Sequence, residues 1–511
     1  MIVRENATNP GTRKRLLEKA RLERKGRTGA KPKQKSRQRS LSVPKRKQPE
    51  IVEPEEQFAA ASELLKNVIQ SPEIDQQFDP QMRTNSRMVY TKGVTLWMLI
   101  LQRLGKGLSL EDTVSHIINH DRDLLPDNKR VRDWTLSENS SGYHNARKNL
   151  SFDSIHEFSS AVCDYLGRSS EPAFGSQRVF VLDGTTTTLP PTPELKKAFP
   201  PATNQHGESV WPVAMLMVAN EMQSGCAILP QIDPKYGPDN SSEAEQAKQI
   251  VRRLPAHSIV MADSGFGIFS VTYHSTQAGH DILFRLTRSR FRSLRKKGQL
   301  IDEGPYHKSY ALMWRPSAKD RKSNPDLPGD AEIEVAVHEI ELENGGFLYL
   351  VTTLEIDATS AAHLLYKHRY EVEFDIRDLK VTMDAENIAA KSVEMVKKEL
   401  MTSVIAYNLI MQFRRQAAKL ANVEPRRLSF KGVWTSFRDR LLLKEPATLS
   451  EWHDLYTAAL ISASKRKLPN RSTPRSYPRR AHPRRPKSTK FMKTQNETKQ
   501  KDEDPPPMVP K

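Results

Sequence analysis

The chain has 511 residues, 37% of them hydrophobic, and a net charge of +19; this is enough for about two to four domains and at least one sizeable core, which excludes a wholly disordered chain. Its two cysteines, Cys163 and Cys226, lie far apart and outside any C-x-x-C spacing, which excludes a disulfide framework or a zinc ribbon and fits a reducing compartment. The longest apolar run, VTLWMLIL at 94–101, is well short of the roughly 20 residues of a membrane-spanning helix, and no signal peptide opens the chain, so a soluble cytoplasmic protein with no membrane partner is expected.

Read from the first residue, the charge proves to be localised. Residues 1–49 hold 17 Lys/Arg against 3 acids and residues 465–511 hold 15 against 4, so the interval between them is slightly acidic. Both ends are rich in Arg and Lys and poor in apolar side chains. They are expected to be basic tails, 1–55 and 465–511, that cannot bury enough surface to fold alone and that bind polyanions by releasing counterions.

From 56 to 175 the pattern is helical. EEQFAAASELLKNVIQ, GVTLWMLILQRLG, SLEDTVSHIINH and FDSIHEFSSAVCDYLG each place apolar residues at three- and four-residue steps, as a helical N-terminal domain would. Between the last two lies SSGYHNARKNLS, whose Tyr143, His144, Arg147 and Lys148 suit either a phosphate-gripping helix or an ordinary solvated helix end.

At about 176 the texture becomes β-rich. RVFVLDG, VWPVAMLMVAN and GCAILPQI read as strands, SSEAEQAKQIVRRL as a Ser-capped helix, HSIVMAD as a strand, 266–277 as a helix and DILFRL as a strand. The order βββαβαβ over 176–287 predicts an α/β fold, a mixed sheet with helices on its faces. Residues 288–355 read as a mostly β insertion carrying YALMW, EIEVAVHEIEL and FLYLVTT. Helical pattern returns at 356–422, followed by a C-terminal helical segment at 423–464.

Two acids end apolar runs beside glycine: Asp183 in VFVLDG and Asp263 in SIVMADSG. Acids at the carboxyl ends of buried strands stand where α/β sheets place their chemistry. A third acid comes from YKHRYEVEFDIRDLK at 366–380. At about 100° per residue, Tyr366, Arg369, Glu373 and Lys380 fall on one narrow stripe beside a seam of Leu365, Val372, Ile376 and Leu379. Glu371, Asp375 and Asp378 fall on the opposite side and are expected to be solvated. Position thus selects Glu373 among the helix acids.

The spacing Tyr366, Arg369, Glu373, Lys380, together with Asp183 and Asp263, resembles the Y-R-E-K signature of the DDE transposases of the insertion sequence four family, over roughly 85–420. The resemblance implies an RNase H-like core and two Mg2+ ions, or Mn2+ in their place, held by Asp183, Asp263 and Glu373. It implies that Tyr366, Arg369 and Lys380 bind DNA, and that double-stranded DNA, as inverted-repeat ends and target, is the partner of a dimer. The implied activity is cleavage at transposon ends and transfer of the 3′-hydroxyl into target DNA, in the bacterial cytoplasm at the nucleoid. A repurposed nucleic-acid-binding protein, or a nuclease without strand transfer, is the alternative. Ser264 departs from the arginine that many members carry after the second Asp, and Trp314, Phe347 and Tyr349 are insertion aromatics among which the sequence does not choose a base-holding residue.

Overall fold

The computed structural model describes residues 88–469, apart from 106, 121, 169, 206, 344, 380–387 and 443–448. The first basic tail, residues 470–511 of the second, the EEQFAAASELLKNVIQ segment and Lys380 therefore lie outside the described residues. Among the described residues no helix is long and apolar enough to cross a membrane.

Among the described residues, five α-helices precede the sheet: α1 (Lys92–Leu104), α2 (Leu110–His120), α3 (Lys129–Arg132), α4 (Ser141–Asn149) and α5 (Phe152–Arg168). Thr91 caps α1 by accepting a hydrogen bond from the Val94 N–H, and the helix is buried along nearly its whole length. In α4, Tyr143 is fully buried and donates to Gln102, while Arg147 lies 3.6 Å from Glu399. Two of the four residues considered for a DNA-gripping face thus face inward, and His144 and Lys148 remain exposed.

The strands are β1 (Val179–Thr188), β2 (Pro201–Asn204), β3 (Gly207–Glu221), β4 (Gln231–Pro234), β5 (Ile259–Ala262), β6 (Asp281–Arg285), β7 (Gln299–Gly304), β8 (His307–Trp314), β9 (Ile333–Glu341) and β10 (Phe347–Thr352). They make one sheet in the order β2-β3-β1-β5-β6-β10-β9-β8-β7, with β4 pairing β3 on the edge away from β1, further along than β2. β1 runs parallel to β5 and β5 to β6; the remaining pairs are antiparallel. The strands read as an insertion continue this sheet through β10, which pairs with β6. GCAILPQI does not form the expected strand: only an Asn220–Ala227 bridge and the start of β4 fall within it, because Ala227 pairs its backbone N–H and C=O with the Asn408 side chain instead.

Strand alternation divides the core. Val179, Val181, Ile259, Met261, Leu283 and Leu350 face one cluster, whereas Phe180, Leu182, Val260, Ala262, Phe284 and Val351 face the other. Continuous apolar runs in β1 and β5 are therefore what a sheet covered on both faces requires. The second face is covered by α7 (Glu243–Ile250), α8 (Phe269–Gln277) and α9 (Arg288–Arg295), following the short α6 (Pro193–Ala198) that links β1 to β2. Ser242 caps α7 as its position in the sequence predicts. Another short helix, α10 (Ala318–Ser323), connects β8 to β9.

The first face is covered by α11 (Arg369–Arg377) and the 29-residue α12 (Val393–Ala421), with α13 (Phe430–Phe437) and α14 (Leu449–Ser464) packed on α12. The N-terminal helices α1 and α5 also pack on α12, in the same hydrophobic cluster.

Candidate active site

β1 and β5 lie side by side with Val181 level with Met261, and Met261 is level with Leu283 of β6. Two residues further along each chain come Asp183, Asp263 and Arg285. All three continue the alternation onto the first face of the sheet. Asp183 does not end its strand as expected. β1 runs on through Thr188 because its β-branched threonines pair with Val213–Leu216 of β3, and it is the parallel neighbour β5 that stops at Ala262. The step between a long strand and a short one leaves the carboxyl group at an opening in the sheet.

Each aspartate is fixed by its own turn. Asp183 Oδ1 accepts the Gly184 N–H at 2.9 Å, and Asp263 Oδ1 accepts the Gly265 N–H at 2.8 Å. The Asp263 turn is drawn against β6: a β-carbon at Gly267 would stand 2.2 Å from the Arg285 carbonyl oxygen. Gly267→Ala is therefore expected to destabilise the protein by about 1–3 kcal/mol, since backbone must yield. Chemical denaturation checks the effect.

Glu373 arrives from α11, which packs on β1 and β3. The segment before it differs from the single helix that the sequence predicts: a helical turn at Ala358–Ser360 passes into a π turn at Ala361–Leu365 and a 3-10 turn at Tyr366–His368 before α11 begins. Tyr366 is buried and its hydroxyl has no hydrogen-bond partner among the described residues. Arg369 is also buried, pairs with the exposed Glu373 at 3.3 Å and lies 4.4 Å over the Tyr370 ring.

Electrostatics join these groups. Burial pushes the Asp183 carboxyl up to about 6; the Gly184 N–H and Arg369 oppose that, while the negative charges of Asp263 and Glu373 add to it. Burial likewise pushes the Tyr366 phenol up to about 12, against the fields of Arg369 and Arg285. Five of the six residues singled out from the sequence thus share one neighbourhood, and Lys380 lies outside the described residues. Among the described residues, no three His, Cys, Asp or Glu side chains stand close enough to hold one ion together.

The opposite side of α11 corrects an expectation. Asp375 and Asp378 are buried, not solvated: Asp375 pairs with Arg426 at 2.8 Å, and Asp378 lies in the field of Arg414. Burial pushes the Asp378 carboxyl up to about 6, and the Arg414 guanidinium restrains that rise. Both arginines come from sequence beyond the helix, so the helix alone could not reveal them.

Sequence reasoning also passed over two cations. Arg285 occupies the row of the two aspartates, and its one signal was its place at the end of DILFRL. Arg290, on α9, donates to the Ser264 carbonyl at 3.2 Å, bracing the Asp263 turn. Of the insertion aromatics, Trp314 and Tyr349 are buried, Trp314 edge-on to Phe269 and Tyr349 stacked on Phe291, while Phe347 is exposed.

Residues 174–409 match the family described as transposase DDE domain. The transposase InsG for insertion sequence element IS4 of Escherichia coli (strain K12) is 22% identical over 398 residues, which is 75% of this chain and 84% of that protein. A cryo-EM structure of piggyBac transposase in a synaptic complex with hairpin DNA covers 78% of this chain and 84% of that one, at 10% identity and a TM-score of 0.35. The domain match and the InsG match define the class: a DDE transposase, a metal-dependent polynucleotidyl transferase and endonuclease. Within that class the chain resembles the insertion sequence four transposase InsG.

Proposed function

We propose that this transposase moves its element by cut-and-paste: it cleaves DNA at the element's inverted-repeat ends and joins the freed 3′-hydroxyl to target DNA, acting as a dimer on paired ends. The observation that carries the reading is the Asp183 carboxyl, set on an RNase H-like strand order β4-β3-β1-β5-β6 and pushed upward in part by the negative charge of Asp263 and Glu373.

Three carboxylates are the hard oxygen donors that Mg2+ takes, so Asp183, Asp263 and Glu373 fit a divalent site in donor chemistry, and the repulsion felt at Asp183 is what bound cations would relieve. Such ions, when bound, supply positive charge that makes the attacking oxygen more acidic and offsets charge on the leaving oxygen. The protein's own groups orient the strand. Arg369, fixed by burial at the edge of α11, offers a planar fork to a phosphate. The unpartnered Tyr366 hydroxyl supports a further hydrogen bond to the backbone of the DNA, and Lys380 adds a point charge from the same signature.

Incubation with the element's own flanking DNA and Mg2+ tests the reading. Double-strand release followed by strand transfer is the expected result. Release without transfer identifies a nuclease, and binding without cleavage identifies a repurposed DNA-binding protein. The 17 cations of residues 1–49 lead to a separate expectation: deleting that segment flattens the salt dependence of non-specific binding, because fewer counterions are released. A log-log titration of affinity against salt measures the slope.

A further inference from the structure

The most exposed large hydrophobic side chain among the described residues is Trp134, 73% exposed. It sits where a tryptophan is costly. The α3 helix ends in a pair of reverse hydrogen bonds, from the Trp134 N–H to the Val131 carbonyl and from the Thr135 N–H to the Arg130 carbonyl, and Trp134 takes the left-handed conformation at φ +54°. That position normally holds glycine, for which the conformation carries no steric penalty. Neither the fold nor the helix end asks for a tryptophan here.

The indole is nonetheless held in place. The Arg122 guanidinium lies 3.5 Å over its ring and donates to the Val131 carbonyl on the way. Just beyond Trp134 the chain is tied to α2 twice, through Glu138 to Asn119 and through Ser140 to Glu111. Lys129 and Arg130, on α3 just before it, are exposed and make no ion pair among the described residues; Arg132 is taken by Asp127. The surface therefore offers one flat aromatic, stiffened by a cation, with two uncommitted cations beside it.

We infer that Trp134 is a stacking platform for a DNA base outside the ordinary duplex stack, with Lys129 and Arg130 on the flanking phosphates. This rests on the transposase reading above, and gives its DNA an anchoring point in the N-terminal helices, apart from the carboxylates. Aromatic stacking tolerates any base, since every base presents a π face, and depends little on salt, whereas binding to phosphates depends on it steeply.

The test uses the full chain and fluorescein-labelled dT20, with a 20-bp duplex of arbitrary sequence as a second probe, read by anisotropy across a salt series. Trp134→Gly is expected to keep or raise the thermal midpoint, because glycine suits the left-handed position, and to lose roughly tenfold or more in affinity for dT20 with the salt slope unchanged. Trp134→Phe, which keeps a ring, should retain most of the affinity. The double variant Lys129→Ala, Arg130→Ala should instead flatten the slope, by roughly 0.7 for each phosphate no longer neutralised. Equal affinities of Trp134→Gly and wild type for dT20 overturn the inference, as does an equal loss in Trp134→Phe and Trp134→Gly; a loss confined to the duplex overturns the unstacked base. If Trp134→Gly binds normally while Asp183→Asn is inactive, the stacking site falls and the catalytic reading stands.

Discussion

Asp183→Asn is expected to abolish Mg2+-dependent end cleavage while making the DNA-free protein more stable. The loss should be roughly a thousandfold or more, as several kcal/mol of transition-state stabilisation imply at 1.36 kcal/mol per decade, with binding of end DNA little changed. Stability moves the other way because of burial. The folded carboxyl titrates at about 6 against an ordinary value of 3.8, so its ionisation opposes folding above pH 6, and this opposition fades as pH falls toward 4. Asparagine removes the charge and should gain about 1–3 kcal/mol at pH 7 in chelator-treated protein, with the gain vanishing near pH 4. Urea denaturation at a series of pH values reads the effect. An unaltered stability at neutral pH would refute the environment described for Asp183, and persistent cleavage would remove it from the active site. Asp263→Asn and Glu373→Gln should match the catalytic loss.

Arg426→Ala is expected to cost about 3–5 kcal/mol, the penalty for leaving a buried carboxylate without its counter-ion. Asp375 is 1% exposed and has Arg426 at 2.8 Å. Asp375 lies on α11 two residues from Glu373 and on the other side of the helix, so cleavage should fall along with stability. Adding Asp375→Asn to Arg426→Ala should recover much of the loss, since the orphaned charge then disappears. A double-mutant cycle by denaturant unfolding gives the coupling directly, and additive effects would mean that the pair is not acting as one.

How far the sequence foretold this site depended on how local each cause is. Val179 to Leu182 and Ile259 to Ala262 read as buried strands because each run is apolar on both faces. The acids that follow them could be picked out on that ground alone. The Thr185–Thr188 run falls outside the predicted strand because the apolar stretch stops at Asp183; its partner, β3, lies more than twenty residues away and decides otherwise. Asp375 and Asp378 looked solvated on a helical wheel because the wheel knows only the helix. Arg426 and Arg414, some fifty and forty residues downstream, make burial tolerable. The wheel also assumed an unbroken α-helix from Tyr366, whereas π and 3-10 turns precede Arg369 and change the angle at which Tyr366 meets its neighbours. Edge strand β7 has exposed Leu300 and Ile301 and no apolar alternation to announce it.

The burial of the middle of α12 on every side has a consequence for how the N-terminal helices can change. α1 and α5 share that helix with the catalytic sheet, and Glu399 of α12 holds Arg103 of α1 at 2.7 Å within the packing. The N-terminal helices are therefore not a cartridge that recombination can exchange intact for another: a graft would have to bring its own half of α12's surroundings. Change in these helices comes more readily by drift of exposed side chains, one at a time, on a scaffold whose interior stays constant.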